Sequence, residues 1–198
     1  MIVIGLTGGI AMGKSEVARI METQGVPVFD SDSEVHKFYA SEEGLRLVGG
    51  LVPESVVDGK INRERLSKRV LEDPHLLKQL ERDVHAEIRR RRDSFIAAER
   101  ARGCAMATVD VPLLFETGAD RDVDTTIVVS AREDLQHQRA MRRPGMTAEK
   151  LSMIIKRQMP DAEKRRRADH VIETNGSLEE LKERVLETLH AIKRKHGT

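Results

Sequence analysis

The stretch that decides the fold is IVIGLTGGIAMGKSEVARIM, which runs from Ile2 to Met21. A short apolar run leads into a glycine-rich turn, and Lys14, Ser15 and an amphipathic segment follow at once. Residues 8–15 satisfy the pattern G-x-x-x-x-G-K-[ST] of a phosphate loop. This pattern, placed between a strand and a helix, predicts a binding site for the phosphates of a nucleotide.

The chemistry of the motif follows from its spacing. Glycines let the backbone curl so that successive N–H groups point at phosphate oxygens, and the start of the next helix adds positive potential. Lys14 can reach the terminal phosphates, and the Ser15 hydroxyl can bind magnesium. The motif therefore predicts a nucleoside triphosphate as ligand, but GTPases, ATPase motors and small-molecule kinases all share it.

The rest of the chain alternates between two hydrophobic patterns. Helical spacing places Val17, Ile20 and Met21 on one face, and five apolar residues repeat at steps of three and four between Leu178 and Ile192. Short apolar runs predict buried strands of a parallel sheet at 2–6, 26–29, 106–111, 125–129 and 170–173. Alternating strands and helices predict an α/β sandwich.

This alternation stops between residues 34 and 103, where the chain is charged and helical in pattern. DGKIN at 58–62 predicts a turn, and Asp73 with Pro74 predicts the cap and first residue of a helix. Residues 60–102 contain 13 basic and 8 acidic side chains, so the segment is mildly basic. We therefore predict a nucleotide-binding core of residues 1–33 and 104–198 with a helical insertion at 34–103.

Bulk composition excludes some classes of protein. The 198 residues carry a formal net charge of +1, which argues against nucleic-acid binding through global charge. We expect no membrane segment, because no apolar run approaches about 20 residues, and we predict a cytoplasmic protein. The arginine-rich runs at 89–92 and 164–167 predict solvated helix faces, with a nucleic-acid-binding module as the alternative.

Acidic residues follow two of the predicted strands. Asp30 and Asp32 come at the carboxyl end of the second strand, where open α/β sheets bind ligands. One carboxylate could hold magnesium-bound water and the other could accept a proton from an attacking hydroxyl; the alternative is a helix cap at Asp32 or Ser33. Asp110 ends the third strand, either near magnesium or as a buried strand end.

Basic residues supply the remaining candidates. Arg139 and Arg143 stand four apart before a Pro-Gly break, so we predict that they share one helix face. On a movable lid at residues 136–147 they could close over a transferring phosphate; a plain basic helix face is the alternative. His85 lies near the apolar stripe of the insertion and, taken alone, is typical of a packed or surface histidine.

Seven stretches together resemble the dephospho-CoA kinase family along nearly the whole chain. They are GLTGGIAMGKS at 5–15, FDSD at 29–32, DGKINRERL at 58–66, LERDVH ending at His85, VDVPLLFE at 109–116, Gln136 with Arg139 and Arg143, and ADHVIETNGS at 168–177. The resemblance implies a P-loop kinase three-layer sandwich, with a five-stranded parallel sheet, a helical CoA-binding insertion and a small lid. The implied reaction is the final step of coenzyme A biosynthesis. The γ-phosphoryl group of ATP is transferred, with magnesium as cofactor, to the ribose 3′-hydroxyl of dephospho-CoA.

The resemblance also implies roles for individual residues. Catalysis would fall to Asp32, as base or hydroxyl-orienting group, with Lys14 and Arg139. Magnesium would be held by Ser15 and, through water, by Asp30. The acceptor would contact Asp32, His85, Leu114 and Arg143, and ATP would contact Gly8, Gly9, Ile10, Ala11, Met12, Gly13, Lys14, Ser15, Glu16, Arg139, Asn175 and Gly176.

Four positions depart from the family pattern. Ala11, Met12 and Glu16 stand where the family usually has Gly, Ser and Thr, and Ala86 replaces the proline after His85. The loop is therefore bulkier than usual. The resemblance further implies ATP and dephospho-CoA as small-molecule partners, with no nucleic acid or membrane, in a monomer or weak homo-oligomer.

Overall fold

A computed structural model describes residues 1–197 of the chain. The strands are β1 (Ile2–Gly8), β2 (Val28–Asp30), β3 (Val56–Val57), β4 (Lys60–Ile61), β5 (Met106–Asp110), β6 (Thr125–Ser130) and β7 (His170–Glu173). The helices are α1 (Lys14–Thr23), α2 (Ser31–Tyr39), α3 (Glu42–Leu51), α4 (Arg63–Glu72), α5 (Pro74–Ala101), α6 (Glu133–Met141), α7 (Ala148–Arg157), α8 (Asp161–Arg167) and α9 (Leu178–His196).

The chain divides into two compact units. One, which we call the core unit, contains residues 1–29 and the chain from Ala98 onward, and the other, the helical unit, contains residues 30–97. The sequence placed the corresponding boundaries at 33/34 and 103/104. None of the helices described within residues 1–197 is long and apolar enough to cross a bilayer.

A five-stranded sheet in the order β2-β5-β1-β6-β7 forms the centre of the core unit. The central strand β1 runs parallel to β5 and β6, and its Ile4 lies beside Thr108 on one neighbour and Thr125 on the other. All seven residues of β1 are buried, as expected for a strand covered on both faces. The predicted parallel sheet and its five strands are confirmed.

Helices α1 and α9 cover this sheet with the apolar faces that the sequence predicted. Val17, Ile20 and Met21 of α1 and the stripe of α9 share one buried cluster with the strands. Leu178 is the exception, because half of its surface is exposed. It is the first residue of α9, and helical side chains lean toward the amino terminus, so this side chain projects past the start of the helix.

The helical unit contains α2, α3, α4, most of α5 and the small antiparallel hairpin β3–β4. The predicted turn at 58–62 joins the hairpin: Asp58 and Gly59 have φ values of 50° and 70°, as a two-residue type I′ turn requires. The predicted cap is also confirmed, because one Asp73 carboxylate oxygen accepts the N–H groups of His75 and Leu76, each at 3.1 Å. The interior is aliphatic and aromatic, with Phe38, Val48, Val52, Leu66, Val70, Leu80 and Val84 buried.

Candidate active site

The phosphate loop leaves β1 at Gly8 and enters α1 at Lys14. A Cβ atom at Gly8 would lie 2.6 Å from the Val129 carbonyl oxygen, so only glycine lets β1 and β6 approach this closely at the start of the loop. Gly13 has a φ of 91°, a left-handed conformation that glycine adopts without strain. The two glycines of the motif therefore serve close packing at one end and backbone direction at the other.

Lys14 forms an ion pair with Asp110, the last residue of β5. The Asp110 carboxylate is almost fully buried and the Lys14 side chain is 16% exposed. A lysine ammonium carries three N–H donors, so this bond directs the group while donors remain for phosphate oxygens. The structure therefore shows Asp110 as a buried strand end whose carboxylate orients the loop lysine, and a place near magnesium stays a prediction.

Ser15 and Glu16 form the first turn of α1, after Lys14. The Ser15 residue is exposed. The Glu16 carboxylate accepts hydrogen bonds from the Arg19 guanidinium one turn further along, and this bonding lowers the pKa of Glu16. The acidic side chain that replaces the family's usual threonine is thus paired with a cation along the helix.

Ala11 is the one residue of the loop, other than Gly13, with a positive φ, at 59°. Its side chain is buried and packs in a small cluster with Ala140 and Leu151. A non-glycine residue in the left-handed region carries strain on the order of 1–2 kcal/mol. This position therefore combines a strained backbone with a buried methyl group.

We expect Ala11→Val to lower the free energy of unfolding by about 2 kcal/mol or more, since a β-branched residue adds strain in this conformation and overpacks the cluster. Ala11→Gly is the matched control. It removes the strain but loses a buried methyl group and adds unfolded-state entropy, so it should stay within about 1 kcal/mol of the parent chain. Urea unfolding followed by circular dichroism measures both, and equal losses would contradict the strain argument.

Two glutamines hold the loop at Ile10. Gln136 of α6 donates to the Ile10 carbonyl oxygen at 3.0 Å, and the Gln158 side-chain oxygen accepts the Ile10 N–H at 3.0 Å. These residues precede and follow the segment that contains α7. Gln136 belonged to a quoted motif, but no sequence signal indicated Gln158, which is separated from Ile10 by 148 positions.

Arg139 of α6 lies beside the loop and is half-buried. Its guanidinium donates to the Thr174 hydroxyl at 2.8 Å and to the Thr174 carbonyl oxygen at 2.7 Å. The Thr174 hydroxyl in turn donates to the Met12 carbonyl oxygen at 2.8 Å. The predicted lid arginine is therefore linked to the phosphate loop through Thr174, a residue of the quoted stretch at 168–177 to which the sequence assigned no role.

Arg143 is not on the same helix face as Arg139, so that prediction is wrong. Helix α6 ends at Met141 with Arg142 as its carboxyl-terminal cap, and Arg143 is exposed in the turn that follows. The reason lies in Pro144, because a proline disfavours helical backbone at the residue before it. Arg143 is therefore an exposed cation that lies outside α6.

The LLFE stretch after β5 is held by a buried lysine. Lys164 is fully buried, its ammonium lies 2.9 Å from a Glu116 carboxylate oxygen, and it also donates to the Pro112 carbonyl oxygen at 3.1 Å. The prediction of a solvated face at 164–167 is therefore wrong for Lys164. Burial raises the pKa of Glu116, but the bonds from Lys164 and the Met159 N–H outweigh it and the pKa is lowered overall.

Leu114, in the same stretch, is fully buried. A Cβ atom at Gly5 would lie 3.0 Å from its side chain, so Leu114 fills the space beside the central strand. The structure therefore uses this side chain in the core, and it does not support the predicted substrate contact.

Asn175 and Gly176 form the turn between β7 and α9. The Asn175 side-chain oxygen accepts the Arg132 N–H at 2.8 Å, at the start of α6. A Cβ atom at Gly176 would lie 1.6 Å from a Glu180 carboxylate oxygen, which belongs to the capping box of α9. A larger residue here would displace the Glu180 side chain from the helix cap, and contact of this turn with adenine stays a prediction.

In the helical unit, both candidate carboxylates lie at the start of α2, Asp30 just before the helix and Asp32 in its first turn. Asp30 caps this helix, because its side chain accepts the Ser33 N–H at 3.0 Å. The expected alternative had placed a cap at Asp32 or Ser33, but the strand ends at Asp30, whose extended backbone presents its carboxylate to the N–H three residues on. Asp32 lies exposed in the first turn.

A cavity of about 360 Å³ opens among α2, α4 and α5 of the helical unit. Aliphatic side chains line it, together with the polar residues His36, Tyr39, Arg63, Ser67, Glu81 and His85. The Arg63 guanidinium lies 6.0 Å from the centroid of the Tyr39 ring. Burial raises the pKa of the Tyr39 hydroxyl, which therefore stays a neutral hydrogen-bond donor. The predicted substrate residue His85 is exposed at this cavity.

Several known proteins are similar to this chain over nearly its whole length. The family model described as dephospho-CoA kinase matches residues 2–180. The dephospho-CoA kinase of Brucella melitensis biotype 1 is 47% identical over 189 residues, which cover 96% of this chain and 94% of the relative. Among solved structures, TT1252 from Thermus thermophilus has a TM-score of 0.81 at 38% identity, and the match covers 96% of each chain. Dephospho-CoA kinase from Campylobacter jejuni has a TM-score of 0.71 at 23% identity, and the match covers 98% of each chain. The chain belongs to the dephospho-CoA kinase family.

Proposed function

We propose that this kinase transfers the γ-phosphoryl group of ATP to the ribose 3′-hydroxyl of dephospho-CoA, giving CoA and ADP. The observation that carries the proposal is the extent of the family match, from residue 2 to residue 180. It includes the helical unit as well as the phosphate loop. A match to the loop alone would support only a nucleotide-dependent enzyme of unspecified acceptor.

On the ATP side, residues Gly8 to Ser15 bind the phosphates through backbone N–H groups and the start of α1. Lys14, directed by Asp110, neutralises charge on the terminal phosphates. Arg139 binds the phosphoryl group during transfer, when its charge spreads over three oxygens. The turn at Asn175 and Gly176 lies beside adenine in this proposal.

Magnesium fits the oxygen donors of the loop. The ion would be held by the Ser15 hydroxyl and the nucleotide phosphates, with Asp30 acting through water. Among residues 1–197, no group of three or more His, Cys, Asp or Glu side chains could hold a metal by itself. That suits magnesium, which commonly binds through one or two protein groups and substrate phosphates. When bound, it would supply positive charge that offsets the negative charge of the nucleotide phosphates.

Asp32 acts on the acceptor. In phosphoryl transfer the protein mainly positions the groups and stabilises charge, and a carboxylate orients the attacking hydroxyl and accepts its proton. Asp32 is exposed in the first turn of α2, whereas Asp30 is engaged as the cap of that helix. This difference favours Asp32 as the proton acceptor.

The cavity of the helical unit binds the rest of the acceptor in this proposal. Dephospho-CoA combines an anionic diphosphate with a long arm of amide and methylene groups. Arg63 and His85 match the anion, and the aliphatic wall matches the arm. The excess of basic over acidic residues at 60–102 adds attraction for an anionic ligand. Arg143 is a further surface cation for the same substrate.

We expect His85→Ala to raise KM for dephospho-CoA about tenfold, while kcat and KM for ATP change less than about threefold, because the lost contact belongs to substrate binding. His75→Ala is the matched control, since His75 is also an exposed histidine of α5 but does not line the cavity. Steady-state kinetics with each substrate varied in turn measures the effect. Equal changes in the two variants would contradict a role for the cavity.

The reaction itself is tested by coupled assay of ADP release. The chain is incubated with ATP, magnesium and either dephospho-CoA or a panel of nucleoside monophosphates. We expect turnover with dephospho-CoA and formation of CoA. Activity with a nucleoside monophosphate alone would overturn the proposal, and so would salt-sensitive RNA binding without any phosphoryl transfer.

We also propose that the enzyme works in the cytoplasm as a monomer or weak homo-oligomer. The single cysteine, Cys104, suits a reducing compartment, because it leaves the chain without an internal disulfide. Light scattering over a range of concentrations tests the oligomeric state, and a concentration-independent dimer would contradict it. Fractionation of cells that produce the protein tests the compartment.

A further inference from the structure

Thr174 follows β7 directly and connects three parts of the core unit. Only 3% of its surface is exposed. Its N–H donates to the Ser130 carbonyl oxygen at 2.9 Å, which continues the pairing of β7 with β6. Its hydroxyl donates to the Met12 carbonyl oxygen in the phosphate loop. A residue at the end of the sheet therefore contacts the loop backbone directly.

The same residue fixes the orientation of Arg139. Two guanidinium nitrogens donate to Thr174, one to its hydroxyl and one to its carbonyl oxygen. Bonds from both nitrogens to one residue determine the plane of the guanidinium as well as its position. A guanidinium has five N–H donors, so three remain for phosphate oxygens.

The direction of the hydrogen bonds makes the hydroxyl hard to replace. A threonine hydroxyl has one proton to donate, and here the proton points to the Met12 carbonyl oxygen. The hydroxyl oxygen can then only accept from Arg139. The methyl group of Thr174 also lies 3.1 Å from the position of a Cβ atom at Gly13, so the residue packs against the loop.

We propose that Thr174 is a positioning residue that holds Arg139 in a set orientation relative to the phosphate loop, so that the free N–H groups of the arginine meet the phosphoryl group in transfer. This inference rests on the role given to Arg139 in the proposed function. The alternative is that the two bonds hold Arg139 in an inactive position and must break before Arg139 can act. We call this alternative the latch. The two possibilities predict opposite changes in kcat when the hydroxyl is removed.

Thr174→Val removes the hydroxyl with little change of shape, and Thr174→Ser is the conservative variant that keeps it. For Thr174→Val we expect kcat to fall about 10- to 100-fold while KM for ATP changes less than about threefold, as expected when a group that binds the transition state is misplaced. Thr174→Ser should stay within about threefold of the parent in kcat. Circular dichroism and calorimetric ADP binding show whether each variant is folded and binds nucleotide.

A double-mutant cycle separates positioning from general destabilisation. If Thr174 acts through Arg139, adding Thr174→Val to Arg139→Ala should lower kcat by no more than about twofold further. A rise in kcat for Thr174→Val would support the latch and overturn the proposal. An unchanged kcat, or an equal loss in both backgrounds, would also overturn it.

The proposed function and this inference can fail separately. If the parent chain does not phosphorylate dephospho-CoA, the proposed function is wrong. The cycle can then be measured on the acceptor that the panel identifies or on the slow hydrolysis of ATP, because Arg139 and Thr174 act on the donor phosphate in either reaction.

Discussion

Asp32→Asn is expected to lower kcat about 10³-fold while KM for ATP changes less than about threefold. General base catalysis contributes on the order of 10²- to 10⁴-fold, and asparagine cannot accept the proton of the attacking hydroxyl. The ATP affinity should persist because the phosphate loop, in the core unit, is unchanged. Steady-state kinetics at saturating dephospho-CoA measures kcat, and calorimetry with a non-hydrolysable ATP analogue measures nucleotide binding.

The control for this variant is Glu42→Gln. Asp32 and Glu42 each contribute one acidic side chain to the first turn of a helix in the helical unit, so the two variants lose similar helix-dipole stabilisation. Only Asp32 has a proposed role with the acceptor. Normal turnover of Asp32→Asn would show that the base assignment is wrong, and a similar loss in Glu42→Gln would point to helix stability instead.

Arg139→Ala is expected to lower kcat about 10³-fold or more, since an arginine at the transferring phosphoryl group contributes on the order of 10³- to 10⁵-fold. KM for either substrate should change less than about tenfold, because the additional charge appears in the transition state. A ground-state anchor would give the reverse pattern. Loss of binding with kcat retained would therefore move Arg139 from catalysis to substrate binding.

Arg142→Ala provides the matched control for Arg139→Ala. Arg142 is an exposed arginine three positions further on, at the cap of α6, and no role is proposed for it. Its removal should leave kcat within about twofold of the parent, as surface substitutions usually have small effects. A large loss in this variant would indicate that the end of α6, and not the Arg139 guanidinium, limits the reaction.

The expected fall in kcat differs between Arg139→Ala and Thr174→Val. Loss of Arg139 removes all of its N–H donors, whereas Thr174→Val leaves the arginine in place and retains the carbonyl that holds one of its nitrogens. The expected fall in kcat is therefore smaller for Thr174→Val than for Arg139→Ala. The reverse order would be inconsistent with a positioning role for Thr174.

Much of the core unit could be predicted from local sequence. A phosphate loop is a contiguous sequence pattern, and each strand of the parallel sheet is one short apolar run. The Asp73-Pro74 cap and the Asp58-Gly59 turn are local for the same reason, because their hydrogen bonds and φ values involve neighbouring residues. All of these predictions match the structure.

The sequence-based predictions failed mainly where a side chain contacts residues that are far away in the sequence. Lys164 lies in a basic run that is typical of a solvated face, yet it is buried beside Glu116, 48 positions earlier in the sequence. Leu114 was expected at substrate but fills the space beside Gly5. Two failures are local. The helix pattern at Arg143 was followed past the limit that Pro144 sets, and the cap of α2 is Asp30 instead of Asp32 or Ser33.

The sequence by itself determined the class of this protein, because the phosphate loop, the strand pattern and the family's motifs are each written in contiguous residues. The tertiary structure alone decided how the site is held together. Gln158 meets Ile10 across 148 positions, and Thr174 meets Met12 across 162. Threonine and glutamine are common polar residues with no distinguishing pattern, so only the folded chain shows which of their hydrogen-bonding groups face the phosphate loop.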